Sequence, residues 1–181
     1  MKNIRLKISL SVLCSAILVL LLYTILHETG HMIVMLSAGE KITEFVIIGD
    51  AHVRGTGGDY TDFSDLWMHA NGAVLPTIAA VIYALCYRKN VQNIFYRIFS
   101  FIAVLIPMLS AMVWVILPVF YRPGSKQLDP DIWNFLGNFT HDHSPLLVSA
   151  AALVIVTLML VIVIRKGIPK NFAETVKLVK Q

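Results

Sequence analysis

The sequence predicts an all-α integral membrane protein with about four transmembrane helices and a short β-hairpin after the first. Of 181 residues, 57% are hydrophobic and only 14% charged, against roughly one quarter charged in an ordinary soluble domain. Four apolar stretches, 8–38, 66–87, 94–120 and 145–164, each reach the about 20 residues needed to cross a bilayer. Between the first two, the β-branched residues of 42–48 run into Gly49 and Asp50, a pattern that reads as a hairpin and its turn.

The first stretch follows Lys2, Arg5 and Lys7, as a secretory signal would. Its apolar run continues well past a signal core and lacks a small-residue cleavage site, so it reads as an uncleaved helix that Gly39 ends. In the loop after it, the "GTGG" at 55–58 lacks the Lys-Ser/Thr ending of a phosphate loop and reads as a flexible turn. Pro76, Pro107 and Pro118 fall within apolar stretches and are expected to kink or end helices. Before the last stretch, "LDPDIWNFLGNF" predicts a short helix with Asp129 as its cap, Pro130 at its first position and Gly137 as its stop. The tail over 168–181 sets Phe172, Val176 and Val179 against Lys170, Lys177 and Lys180 and reads as an amphipathic helix along the inner leaflet. Cys14 and Cys86 are expected to be buried free thiols, since two cysteines so far apart suggest no disulfide framework. The whole chain, 1–181, reads as a single membrane domain without internal repeats.

Short loops rich in Lys and Arg stay cytoplasmic. Cationic residues precede the first stretch, surround the second connection (Arg88, Lys89, Arg97) and follow the last stretch (Arg165, Lys166, Lys170, Lys177, Lys180). Both termini are therefore predicted to be cytoplasmic at the cell membrane. The two other loops hold Asp50, Asp59, Asp62, Asp65, Asp129, Asp131 and Asp142 and are predicted to be external. The net charge of +4 is spread over these flanks, and no basic patch with interleaved aromatics speaks for nucleic-acid binding.

Within the first stretch, His27, Glu28, Thr29, Gly30 and His31 spell His-Glu-x-x-His. Residues four apart share a helix face, so both imidazoles can reach one zinc ion while the glutamate stands beside a bound water. Zinc would lower the pKa of that water toward roughly 7, and Glu28 would take its proton and later deliver it to the leaving amine of a cleaved peptide. An unpaired ionisable residue within a membrane costs at least about 2.5 to 3.5 kcal/mol, so three of them in so short a span need a partner. A polar cluster hydrogen-bonded to neighbouring helices is the alternative to metal. A catalytic zinc takes three protein ligands. The extended motif that would add a nearby histidine fails at Val34 and Ser37, and Glu40 and Glu44 lie too close in sequence. The third ligand is therefore expected from an external loop.

Together, "HETGH" in the first membrane helix, the hairpin-like segment after it, "NGAVLP" in the second stretch and "DIWNFL" before the last resemble the site-2 protease-like intramembrane zinc metalloproteases, especially their small bacterial branch. The resemblance implies zinc held by His27, His31 and a distant aspartate, with Glu28 catalytic and with cleavage of membrane protein substrates in or beside the lipid bilayer. It maps the third ligand to Asp131, and the capping role expected of Asp129 leaves Asp131 free to point elsewhere. Larger members carry the aspartate in a Leu-Asp-Gly context, so Leu128 and Asp129 form a rival match. Asn71 is a candidate for holding a substrate strand or an oxyanion, and 42–48 for pairing with an unwound substrate. His52 and His69 read as surface or interfacial residues, and His141 and His143 as a solvated loop in which one histidine could still bind metal. Two other functions fit this sequence: a catalytically silent zinc-binding membrane subunit, and a small transport subunit whose histidines relay ions.

Overall fold

The computed structural model describes residues 2–124, 126–141 and 143–178. Asp142, counted above in the second external loop, and Val179 and Lys180 of the tail lie outside the described residues. Helix α1 spans Lys2–Ser37, strands β1 and β2 span Lys41–Val46 and His52–Thr56, and α2 spans Asp62–Cys86. Helices α3 (Ile94–Phe120), α4 (Pro130–Phe139), α5 (Pro145–Arg165) and α6 (Ile168–Lys177) follow. Four of these, α1, α2, α3 and α5, are long and apolar enough to cross a membrane, and the chain is a multi-pass membrane protein.

Many of the apolar side chains face outward. Leu10, Leu13, Ile17, Leu20 and Leu21 of α1 and Leu153, Val154 and Leu158 of α5 are exposed, whereas Ser11, Ser15, Ser100 and Ser149 are buried. Lipid solvates leucine as well as a protein core does, so helices associate through small and hydrogen-bonding residues. Tyr23 and Ser110 share a 2.5 Å hydrogen bond between α1 and α3, and Tyr83 and Ser100 a 2.7 Å bond between α2 and α3. Cys14 and Cys86 are free but exposed, which corrects the expectation of buried thiols: on these helices the outer surface is itself the apolar environment a thiol favours.

Helix ends follow local capping more closely than the limits of the apolar runs. The Gly39 N–H donates to Leu36 and that of Glu40 to Met35, and with Gly39 at a φ of 84° this double bond closes α1 as a Schellman turn. Thr61 and Ser64 exchange backbone and hydroxyl hydrogen bonds in a capping box, so α2 begins four residues before its apolar run. Asp129 caps α4 by accepting from the Ile132 N–H at 3.1 Å. Gly137 does not stop that helix, which continues to Phe139 and ends on Thr140 bonding back to Leu136. Pro76, Pro107 and Pro118 all lie inside helices.

The alternating helix directions define two ends of the bundle. One carries the hairpin, α4 and the start of α2, and the other carries the connection 87–93 and α6. Through Ile168, Asn171 and Thr175, α6 is buried against the bundle. Asn171 donates to the Tyr87 hydroxyl and the Lys89 carbonyl, each at 2.8 Å, and Phe172 stacks on Phe101. The tail thus docks on the bundle with a partly polar face, while Val176 stays exposed.

Candidate metal centre

Two contacts bring α1 and α2 together at the His-Glu-x-x-His segment. Asn71 is buried and its Nδ2 donates to the Gly30 carbonyl at 2.7 Å. A Cβ on Gly30 would lie 2.2 Å from the Asn71 carbonyl oxygen, and one on Gly72 would lie 2.4 Å from Nε2 of His31 and 2.8 Å from Cε1 of His27. Gly30 thus sets the helix separation, and Gly72 leaves the space that both imidazoles fill. Alanine at position 72 is expected to push the rings aside and weaken metal binding by about tenfold or more, the scale on which lost ligand orientation weakens such sites; a competitive zinc titration measures it.

His31 is oriented from α2. Its Nδ1 lies 2.7 Å from the Met68 carbonyl oxygen, which can only accept, so Nδ1 carries the proton and the neutral ring presents its Nε2 lone pair. That atom is 3.2 Å from Nε2 of His27. The third group arrives from α4. Ile132, Trp133 and Leu136 are buried with Tyr121, Asn138 donates to Asp65, and Asp129 is occupied as the cap. Asp131, in the first turn, therefore faces α1, with its Oδ2 3.3 Å from each histidine Nε2.

The three donor atoms form a nearly equilateral triangle with sides of 3.2 to 3.3 Å. In a tetrahedral zinc site with ligand distances of about 2.0 to 2.1 Å, ligand atoms stand about 3.3 to 3.4 Å apart, so these residues fit the ion. Two N–H groups aimed at one carboxylate oxygen from so close together would crowd each other, whereas a cation at their convergence satisfies all three donors. Burial alone would raise the Asp131 carboxyl, but without metal, when the imidazole Nε2 atoms carry protons, the two rings hold it well below the usual carboxylate range. It is therefore ionised at neutral pH, as a ligand must be.

A cavity of about 560 Å³ opens on this triangle. His27, Glu28, His31 and Asp131 line it, with Glu28 buried on the same helix as both histidines. Its other walls include Glu40, Ala51, His52, Val53, Tyr60 and His69. His52 and His69, read from the sequence as surface or interfacial residues, are half-exposed and line this cavity. Isolated in sequence, they carry no ligand spacing, and only the packing of β2 and α2 brings them to the site. Glu40, set aside above only as a metal ligand, and Tyr60 carry no sequence signal for a place on this wall. The Tyr60 hydroxyl donates to Glu40 Oε1 at 2.6 Å, and burial together with that carboxylate pushes the phenol above its usual range. The His52 ring is raised too, held by the Asp50 carbonyl and then by Glu44. Asn71 is not among the lining residues; its amide serves the α1–α2 contact. His141 and His143 are exposed and line a separate cavity with Tyr60 and Asp65. The strand bordering the metal cavity is β2, through His52 and Val53 with Ala51 just before it, and not the 42–48 segment.

Among the described residues, the three side chains of the triangle are the one group of histidine, cysteine and acidic residues placed to share an ion. Comparison of this chain with protein-family models, curated proteins and solved structures returns no match.

Proposed function

We propose that this chain is a zinc-dependent endopeptidase that cleaves membrane-associated proteins in or beside the bilayer, in the manner of the site-2 protease-like family it resembles. The observation that carries this reading is the triangle of His27, His31 and Asp131 with sides of 3.2 to 3.3 Å, closed across about a hundred residues of sequence beside a buried Glu28.

Zinc at the triangle would supply a water acidified toward neutral pH and a positive charge facing the peptide carbonyl. The protein's own groups do the rest. Glu28, on the cavity wall beside both ligating histidines, accepts the proton of the attacking water and passes it to the leaving nitrogen, so one carboxyl acts as base and then as acid. The Met68 carbonyl keeps the His31 ring in its ligating tautomer. β2 is paired with β1 on one side only, leaving its other edge unpaired among the described residues. A substrate segment drawn out of its helix can recover its backbone hydrogen bonds along that edge.

The cavity lies among groups that α1 carries two to three turns from its end at Ser37, about 9 to 15 Å in at 1.5 Å per residue. By the distribution of cationic residues, this end faces outward and both termini are cytoplasmic at the cell membrane. A cysteine placed at Asp59 should react with an impermeant reagent added outside intact cells; protection there would reverse the orientation. The function is tested by reconstituting the chain with candidate membrane substrates. Chelation should abolish cleavage and zinc should restore it, whereas cleavage indifferent to chelator would refute the proposal.

A further inference from the structure

Of the carboxylates lining the metal cavity, three have assigned work: Asp131 as ligand, Glu28 as proton carrier and Asp129 as helix cap. Glu40 does not. Its Oε1 accepts from Tyr60, but Oε2 is buried without a hydrogen-bond partner among the described residues. The "GTGG" segment covers it. A Cβ on Gly55 would lie 2.1 Å from Oε2, and one on Gly58 would lie 2.4 Å from Glu40 Cγ, so a side chain at either position would displace Glu40 from where it stands. A carboxyl oxygen kept from water and given no donor is destabilising. The fold nevertheless commits a tyrosine and two glycines to holding it at the wall of the site.

Charge complementarity names the missing partner. No lysine or arginine is among the residues lining the cavity, and the His52 ring is already opposite Glu44, 3.3 Å from its carboxylate. We infer that Glu40 is a specificity determinant that pairs with a lysine or arginine side chain of the substrate close to the bond to be cut. The inference rests on the proposed peptidase function and adds its substrate class: polypeptide segments with a basic residue beside the cleavage position, acidic segments being disfavoured.

The test uses binding, so that it does not depend on turnover. The zinc-loaded full chain carrying Glu28→Gln is placed in phosphatidylcholine nanodiscs, where lipid charge attracts nothing. Fluorescent N-acetylated, C-amidated peptides are titrated in pairs, one with a single lysine and its twin with the neutral isostere norleucine, the lysine being moved through the sequence. At one position the lysine peptide should bind about tenfold or more tighter, as a charge-assisted hydrogen bond contributes. Adding Glu40→Gln should bring the ratio to about one with zinc content unchanged, while Glu40→Asp, which keeps the charge, should retain a preference. A ratio near one at every position, or one that survives Glu40→Gln, overturns the inference and leaves the peptidase proposal standing. Absence of hydrolysis by the unmutated chain overturns the peptidase proposal and leaves the binding ratio readable.

Discussion

Replacing His31 with alanine is expected to reduce zinc affinity by more than about a hundredfold, so that the variant emerges from purification nearly metal-free. Losing an outer hydrogen-bond partner of a metal ligand already costs about ten- to a hundredfold, and His31 is itself one corner of the triangle, 3.2 Å from His27 and 3.3 Å from Asp131. The loss extends to the fold. An ion that binds only the native state at a thousand times its Kd stabilises that state by about 4 kcal/mol, and the substitution also leaves the Met68 carbonyl without the ring N–H it now accepts. The apparent Tm of the variant should therefore fall and cease to respond to added zinc, read by thermal unfolding in nanodiscs with and without metal. A variant whose Tm still rises with zinc to the same extent would place the ion elsewhere.

Glu28→Gln should behave differently. Glutamine nearly matches glutamate in shape, so the buried position is filled and the triangle, which does not include residue 28, keeps its ion. An amide cannot take up the proton of the attacking water or return it to the leaving nitrogen, and loss of a positioned acid–base group costs about a hundred- to ten-thousandfold in rate. Zinc content at the native level with cleavage down by that factor is the expected pair of results, measured by metal analysis and by product formation on one preparation. Unchanged cleavage would remove Glu28 from the mechanism. Alanine at Gly30, where a Cβ would meet the Asn71 carbonyl oxygen at 2.2 Å, should instead separate α1 from α2 and destabilise the bundle by about 1 to 3 kcal/mol, seen as a lower Tm even in the metal-free protein.

These contrasts show which parts of the molecule were legible in the sequence. The four membrane helices were, because a bilayer demands long apolar runs and little else competes to form them. The hairpin was as well, since its turn needs Gly49, which adopts a φ of 90°. The histidine pair was legible from helical spacing alone. Asp131 needed the resemblance and the argument that Asp129 is spent as a cap, because no periodicity links positions so far apart. What remained hidden arises from two elements meeting. Gly30 and Gly72 look like ordinary membrane-helix glycines until Asn71 and the imidazoles occupy the space above them. Glu40, Tyr60, His52 and His69 become cavity walls only because the hairpin and α2 both pack against α1. The "GTGG" segment reads as a slack turn in sequence, yet Gly55 and Thr56 end β2 and the segment covers a buried carboxylate.

The central claim is that His27, His31 and Asp131 close one metal site with a position left for water. X-ray absorption at the zinc edge on the reconstituted chain tests it most directly. The account predicts one zinc per chain with four nitrogen or oxygen neighbours at about 2.0 to 2.1 Å, two of them imidazoles and none sulfur, with the signal altered in Asp131→Ala. A chain that binds no zinc, or whose spectrum is the same after Asp131→Ala, would contradict it.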